Sequence, residues 1–275
     1  MSRAIWSGSI GFGLVNVPVK LFTAVEEKGV QFHQFQEGTQ SRVRNKRVNE
    51  KSGKEVPFEK VVKGYEVKKD RYVMLTPEEL ESVEPGRTRT IEIEDFVELD
   101  EVDPIFYDRT YYLAPADEPG KRPYALLLDA MHRANKIAIG RFVMRTKQYL
   151  AAVRPGDGVL MLETMHFPDE IRDAKDLDNV PERIKLTDKE RRIAAQLIDS
   201  LASEWEPDKY HDTYREAVLE LIKRKGKGEE IEVERPERED EGKVVDLMAA
   251  LEASVKDARD RRTKTASRSR KKKAS

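Results

Sequence analysis

Through about residue 181 apolar side chains recur mostly at every second position. The stretch RTRTIEIEDFVEL places Ile91, Ile93, Val97 and Leu99 on one face and Glu92, Glu94 and Glu98 on the other, the alternation of a half-buried antiparallel strand. TYYLAP, IAIGRFVMRTKQYLAAVRP and GVLMLETM are further β-rich runs bounded by Pro, Gly or Asp. Two helical insertions break the series. TPEELESV offers Thr76 as cap and Pro77 in the first turn, and RPYALLLDAMHRAN carries Tyr124, Leu127, Leu128 and Met131 at helical spacing. Many short strands with few helices point to a barrel. Near the start, SGSIGFGLVNVPVKL reads as a glycine corner between a strand ending near Ile10 and a second strand through Val15, Val17 and Val19.

After Leu186 the period changes. Thr187 and Glu190 have capping-box spacing, ahead of a stripe of Ile193, Ala194, Leu197, Ile198 and Leu201. A second helix carries Tyr214, Ala217, Val218, Leu221 and Ile222 and stops in KRKGKG. Residues 226–242 hold eight acids and three bases with almost no apolar residues, the composition of a solvated linker. Beyond it, KVVDLMAALEASVKDA sets Val244, Met248, Leu251 and Val255 on one helical face, either to dock a partner or to fold back on its own domain.

Composition adds a hidden asymmetry. The net charge of −1 averages a tail, residues 259–275, with nine Lys or Arg against one acid, and a remainder of about −9. The tail, including Arg268, Arg270, Lys271, Lys272 and Lys273, resembles basic arms that hold nucleic-acid phosphates without sequence preference, with a merely solvated tail as the alternative. The absence of cysteine from the sequence excludes disulfides and thiolate metal sites and suits a reducing cytoplasm. The longest uncharged run, residues 4–19, is too short for a membrane span and lacks the organisation of a signal peptide. The expected location is cytoplasmic and nucleoid-associated.

Catalytic signatures are weak. No Walker loop occurs, and Gly8, Gly11 and Gly13 run in the reverse order of a dinucleotide fingerprint. His33, His132, His166 and His211 lack zinc spacing, and no serine sits in a nucleophile elbow. Pro168–Asp169 with Asp173 and Lys175 resembles the proline-aspartate and acid-x-lysine elements of a Mg²⁺-dependent nuclease superfamily, but there the two parts usually lie further apart with the second on a strand, and a solvated acidic surface is the favoured reading.

Basic residues on strands remain. Arg42, Arg44 and Lys46 share one face of SRVRNKRV, while Arg141, Arg145 and Lys147 share a face opposite Phe142 and Met144. Arg47, Lys51, Lys54, Lys60, Lys63, Lys68, Lys69 and Arg71 extend the supply. A basic face backed by an apolar one tracks a phosphate backbone, and solvated strand faces are the alternative. Aromatics do not interleave with these bases, so base stacking on single strands has little support.

The segments AIWSGSIGFGLVNVPVKLF (4–22), EVPFEKVVKGYEV (55–67), TYYLAP (110–115), AIGRFVMRTKQYLAAVRP (138–155) and LETMHFPDEIR (162–172) closely resemble the bacterial Ku family, over residues 3–225 and in the right order. Its members recognise DNA double-strand ends in non-homologous end joining. The resemblance implies a mixed, mainly β fold: a β-barrel core with an extended arm, about residues 27–87, whose pairing in a homodimer makes a ring around duplex DNA, then an α-helical C-terminal region. It implies no enzymatic activity, no cofactor, and recruitment of an ATP-dependent ligase, ligase D. The docking element would be the helix bearing Val244, Leu247, Met248 and Leu251. Some members carry cysteines, apparently for zinc, after the FHQ motif; none stands here, so no metal is expected and the turns must rest on Gly38, Gly53 and side-chain hydrogen bonds. The expected organisation is a core to residue 185, helices at 186–225, an acidic linker at 226–242, a docking helix at 243–258 and a basic tail at 259–275. A Mg²⁺-dependent nuclease and a general DNA-coating protein are the rival functions.

Overall fold

Period-two alternation becomes a closed wall in the computed structural model, which describes residues 3–84, 86, 88–181 and 184–229. The chain divides into units at Met1–Asp176 and Leu177–Ser275. The first contains β1 (Trp6–Phe12), β2 (Val15–Thr23), β3 (Lys63–Lys68), β4 (Arg71–Leu75), α1 (Pro77–Ser82), β5 (Thr90–Glu98), β6 (Tyr107–Pro115), α2 (Lys121–Ala134), β7 (Lys136–Met144), β8 (Lys147–Pro155) and β9 (Leu160–Met165). Seven of these strands close a barrel in the order β1-β2-β6-β9-β8-β7-β5, while β3 and β4 form a separate hairpin. The β1–β2 hairpin turns at Gly13, inside the glycine corner expected from the sequence, and β1 runs on through Gly11 to Phe12, two residues beyond its expected end near Ile10.

Inward residues are those the alternation marks: Ile10, Val17, Val19, Leu21, Ile91, Leu113, Phe142, Ala151, Val153, Leu160 and Leu162 make one buried cluster. The barrel closes where β5 pairs in parallel with β1, Ile10 opposite Ile91. This strand is gripped from both sides. A Cβ on Gly8 of β1 would lie 2.1 Å from the Arg89 carbonyl oxygen, and one on Gly140 of β7 would lie 2.2 Å from that of Glu92. Only glycine allows the backbones to approach so closely.

β5 departs from the simple alternation. A bulge between Ile93 and Asp95 shifts its register against β7, so Val97 does not share the face of Ile91 and Ile93. An extra residue in a strand flips every side chain after it. Val97 packs instead with Ile137, Ala152 and Met165 in a second cluster, joined by Val102, Phe106 and Tyr107, and Leu99 is exposed. Near this layer Glu163, almost fully buried, is held by Arg154 at 2.7 Å and by the Thr110 hydroxyl.

Helix α2 covers one mouth of the barrel. Tyr124, Leu127 and Met131 are its buried residues, and the Tyr124 hydroxyl donates to the Leu113 carbonyl (2.6 Å) while accepting from the Leu160 N–H (2.7 Å). One phenol thus ties the helix to the ends of β6 and β9. The α1 cap is as the sequence implies, with Thr76 and Glu79 in a capping box.

In the second unit, α3 (Asp188–Leu201) and α4 (Thr213–Gly226) are the helices. Thr187 and Glu190 form the α3 capping box, and the hydrogen bonds from the Thr187 hydroxyl and backbone hold the Glu190 carboxyl below its ordinary value. No described residue of this unit is buried.

Replacing Tyr124 by Phe leaves a buried N–H and carbonyl unpaired and should cost about 2–4 kcal/mol in chemical denaturation. Burial raises the Tyr124 hydroxyl above its ordinary 10.0, so the folded state holds this proton more tightly than the unfolded one. Its contribution is whole below pH 10 and is lost as pH rises further. Stability of the parent protein should therefore fall more steeply above that pH than stability of Tyr124→Phe.

Candidate nucleic-acid interface

The arm is residues 24–89, the connection between β2 and β5. No described residue between Leu21 and Ile91 is buried. From residue 41 to residue 71 it carries eleven Lys or Arg against five Asp or Glu, so it is a basic extension without a core. Two small turns order its outer part. Gln36 N–H bonds the Ser41 carbonyl around Gly38, and Asn49 N–H bonds the Lys54 carbonyl around Gly53, both glycines at positive φ. Asn49 Oδ1 accepts from the backbone of Lys51 and Ser52, and Thr39 bridges the Gln36 carbonyl and Ser41 N–H. Glycine and side-chain hydrogen bonds thus shape these turns, as the sequence required.

The arm is less regular than the alternation of SRVRNKRV suggests. Arg42 sits in an isolated bridge to Phe35, and residues 43–47 belong to no strand, so Arg42, Arg44 and Lys46 do not share a ladder face. The physical reason is missing pairing: the neighbouring chain supplies single bridges at Phe35–Arg42 and Val48–Glu55 and no continuous ladder. Aromatics do stand among these bases, contrary to the expectation from the sequence, because cross-turn contacts bring Arg42 over Phe35 at 6.0 Å and Arg47 over Phe58 at 4.9 Å. Lys46 pairs with Glu55 at 2.7 Å. Arg44, Lys51, Lys54, Lys60 and Lys63 have no ion pair among the described residues. Lys60 ends a 3₁₀ turn, Lys63 opens β3, and Lys68 and Arg71 flank the β3–β4 turn.

On the barrel, Arg141, Arg145 and Lys147 do not form one strand face either. β7 ends at Met144 and β8 begins at Lys147, so Arg145 lies in the hairpin turn, in the left-handed region at φ 61. Arg141 is engaged by Glu94, with Nε–Oε1 at 2.9 Å and Nη2–Oε2 at 3.0 Å. Both side chains of that pair are about half exposed, and a pair of this kind contributes about 0–1 kcal/mol. The opposite parity is as expected, with Phe142 buried against Trp6 and Tyr149.

A site residue that sequence reasoning passed over is Arg109. It lies in β6 two residues before Tyr111 and four before Leu113, in phase with the inward side chains, and it lines a cavity with Arg145 and Lys147. A cation in phase with a buried face was the available signal.

The nuclease-like arrangement is not formed. Asp169 and Lys175 lie in separate 3₁₀ turns, and Asp173 Oδ1 accepts from Lys175 N–H at 2.9 Å, a local turn contact. No three His, Cys, Asp or Glu residues gather to hold a metal ion among the described residues. No helix among them is long and apolar enough to cross a membrane. The residues read as ligase-docking (Val244, Leu247, Met248 and Leu251) and the basic tail with Arg268, Arg270, Lys271, Lys272 and Lys273 lie outside the described residues.

These features define a class: a seven-stranded barrel that projects a long basic arm from between two of its strands. Residues 11–193 match the family model of the Ku70/Ku80 beta-barrel domain. The chain is 49% identical over 251 residues to non-homologous end joining protein Ku 3 of Saccharopolyspora erythraea, covering 90% of this chain and 94% of that one. The corresponding protein Ku of an Anaeromyxobacter species is 48% identical over 263 residues, covering 95% and 88%, and that of Bacillus subtilis is 38% identical over 257, covering 92% and 81%. The chain belongs to the Ku family.

Because the arm has no buried residue, limited trypsin digestion of the free protein should, within the first unit, cut first at residues 42–71, leaving the barrel wall protected. Mass spectrometry of the early fragments checks this; first cuts within β6–β9 would contradict it.

Proposed function

We propose that this protein binds double-stranded DNA ends without sequence preference, as a ring-shaped homodimer acting in non-homologous end joining. It acts as a scaffold with no reaction of its own. The observation that carries the reading is the arm: a net-positive segment, coreless in one chain, that exposes Phe32, Phe35, Phe58, Tyr65, Tyr72 and Met74 among its bases. Large apolar side chains on a segment with no interior favour burial against a second copy. Paired arms would then present Arg44, Lys51, Lys54, Lys60 and Lys63 to a duplex backbone, and phosphate contacts carry no sequence information. The family membership and the names of the relatives support the same repair process.

A ring has a topological consequence, because loading needs a free end. Linear duplex should bind far more tightly than covalently closed circles of equal length. If about 6–10 phosphates are neutralised, affinity should fall about 10³–10⁵-fold between 50 and 200 mM salt. Equal binding of closed circles would overturn the ring and favour a general DNA-coating protein.

Ligase D recruitment is assigned to the amphipathic stripe of Val244, Leu247, Met248 and Leu251, which the acidic linker separates from the core in sequence. The basic tail adds non-specific phosphate contacts. Leu251→Asp should preserve end binding and lower stimulation of ligation by the partner ligase several-fold, measured on the same linear substrate. Unchanged stimulation would remove the assignment.

A further inference from the structure

The barrel has two unlike mouths. One is covered by α2; the other opens where β2 runs out into the arm at Thr23. There a cavity of about 420 Å³ is lined by Thr23, Asp108, Arg109, Tyr111, Arg145 and Lys147, among others. That volume lies in the range of small-ligand sites. Three cations therefore line a recess with Asp108 as its acid, and none of the three has an ion pair among the described residues.

The interior of the recess is polar as well. Tyr111 is buried but for 7% of its surface, and its hydroxyl has no hydrogen-bond partner among the described residues. Buried hydroxyls are ordinarily paired. The Tyr107 hydroxyl is the one described side-chain group both sealed from solvent and without a partner, so the Tyr111 hydroxyl is open to the recess it lines. Tyr149 also lines it, with Lys147 Nζ 5.1 Å from its ring centroid. Thr164 is already committed, its hydroxyl accepting from Arg109 N–H at 3.2 Å. Arg145 holds its place in the left-handed region without being glycine or asparagine, a conformation that clusters at binding sites.

We propose that this mouth binds the terminal phosphate monoester of a DNA end. A dianion suits two guanidinium groups and an ammonium group, the tyrosine hydroxyl can donate to its oxygens, and guanidinium forks match phosphate geometry. A continuous strand passes across a concave mouth, whereas an end group can enter it. The acid at the mouth, Asp108, and Glu27 in an adjoining recess disfavour weakly charged occupants that lack the dianion's attraction. The proposal rests on the end-binding reading and adds to it the chemical state of the end.

The test uses the full-length protein and short blunt duplexes bearing 5′-phosphate, 3′-phosphate or hydroxyl termini, compared in direct binding. A phosphorylated terminus should bind about tenfold more tightly than a hydroxyl one, and the 5′ and 3′ arms identify which strand end enters. Tyr111→Phe removes a hydroxyl that makes no bond in the fold, and Arg109→Gln removes one rim charge. In both, the ratio of phosphate to hydroxyl affinity should fall toward one. Equal affinity for all three duplexes, with linear DNA still preferred over closed circles, would overturn the pocket and leave the end-binding reading standing. Absence of any duplex binding would overturn both. An undiminished ratio in both variants would also overturn this assignment.

Discussion

Because 66 residues leave the barrel between Thr23 and Thr90, the wall can close only if the returning strand finds β1 again. That pairing is parallel and short, Ser9–Gly11 against Thr90–Glu92. Bringing together the ends of so long a loop costs about 4 kcal/mol beyond a constant, and the arm contributes no buried residue to offset it. The compensation comes from the barrel: Ile91 enters the core beside Ile10, and the glycines at 8 and 140 let the backbones of β1 and β7 close on β5. The arm is therefore held at its root by a core to which it contributes nothing.

The same division separates stability from function. Apolar energy is concentrated in the two clusters of the wall and in the Tyr124 tie to α2. Charge is concentrated where there is little packing, in the arm and at the open mouth. Long exposed cations can change partners with small losses elsewhere in the fold. Arg141 shows a graded version, held by Glu94 in a bond weak enough to give up.

The barrel was legible because alternation is a property of single strands: Val17, Val19 and Leu21 announce their face without knowing their partners. Capping at Thr76 and Thr187 was legible for the same local reason. What depended on a partner strand was hidden. The β5 bulge falls where Gly140 of β7 packs against Glu92 and Ile93, a contact the sequence of β5 does not show, so alternation alone put Val97 on the wrong side. The turn at Arg145 carries no glycine or asparagine to mark it, and its neighbours read as one strand. The Arg141–Glu94 pair spans 47 positions, and the irregular course of residues 43–47 follows from a ladder that neighbouring chain does not provide.

Strand order adds a consequence for the arm's history and its engineering. β1 alone stands between β2 and β5, so the points where the arm leaves and returns are separated laterally by two strand spacings, about 10 Å, and along the strands by the five residues between Pro18, level with Thr90 through Ser9, and Thr23, about 17 Å. A short linker could bridge that gap and leave the wall intact. The insertion is thus a cassette: its length and charge can be exchanged or shortened while the barrel keeps its own core. Such an exchange would rewrite only what lies between Thr23 and Thr90.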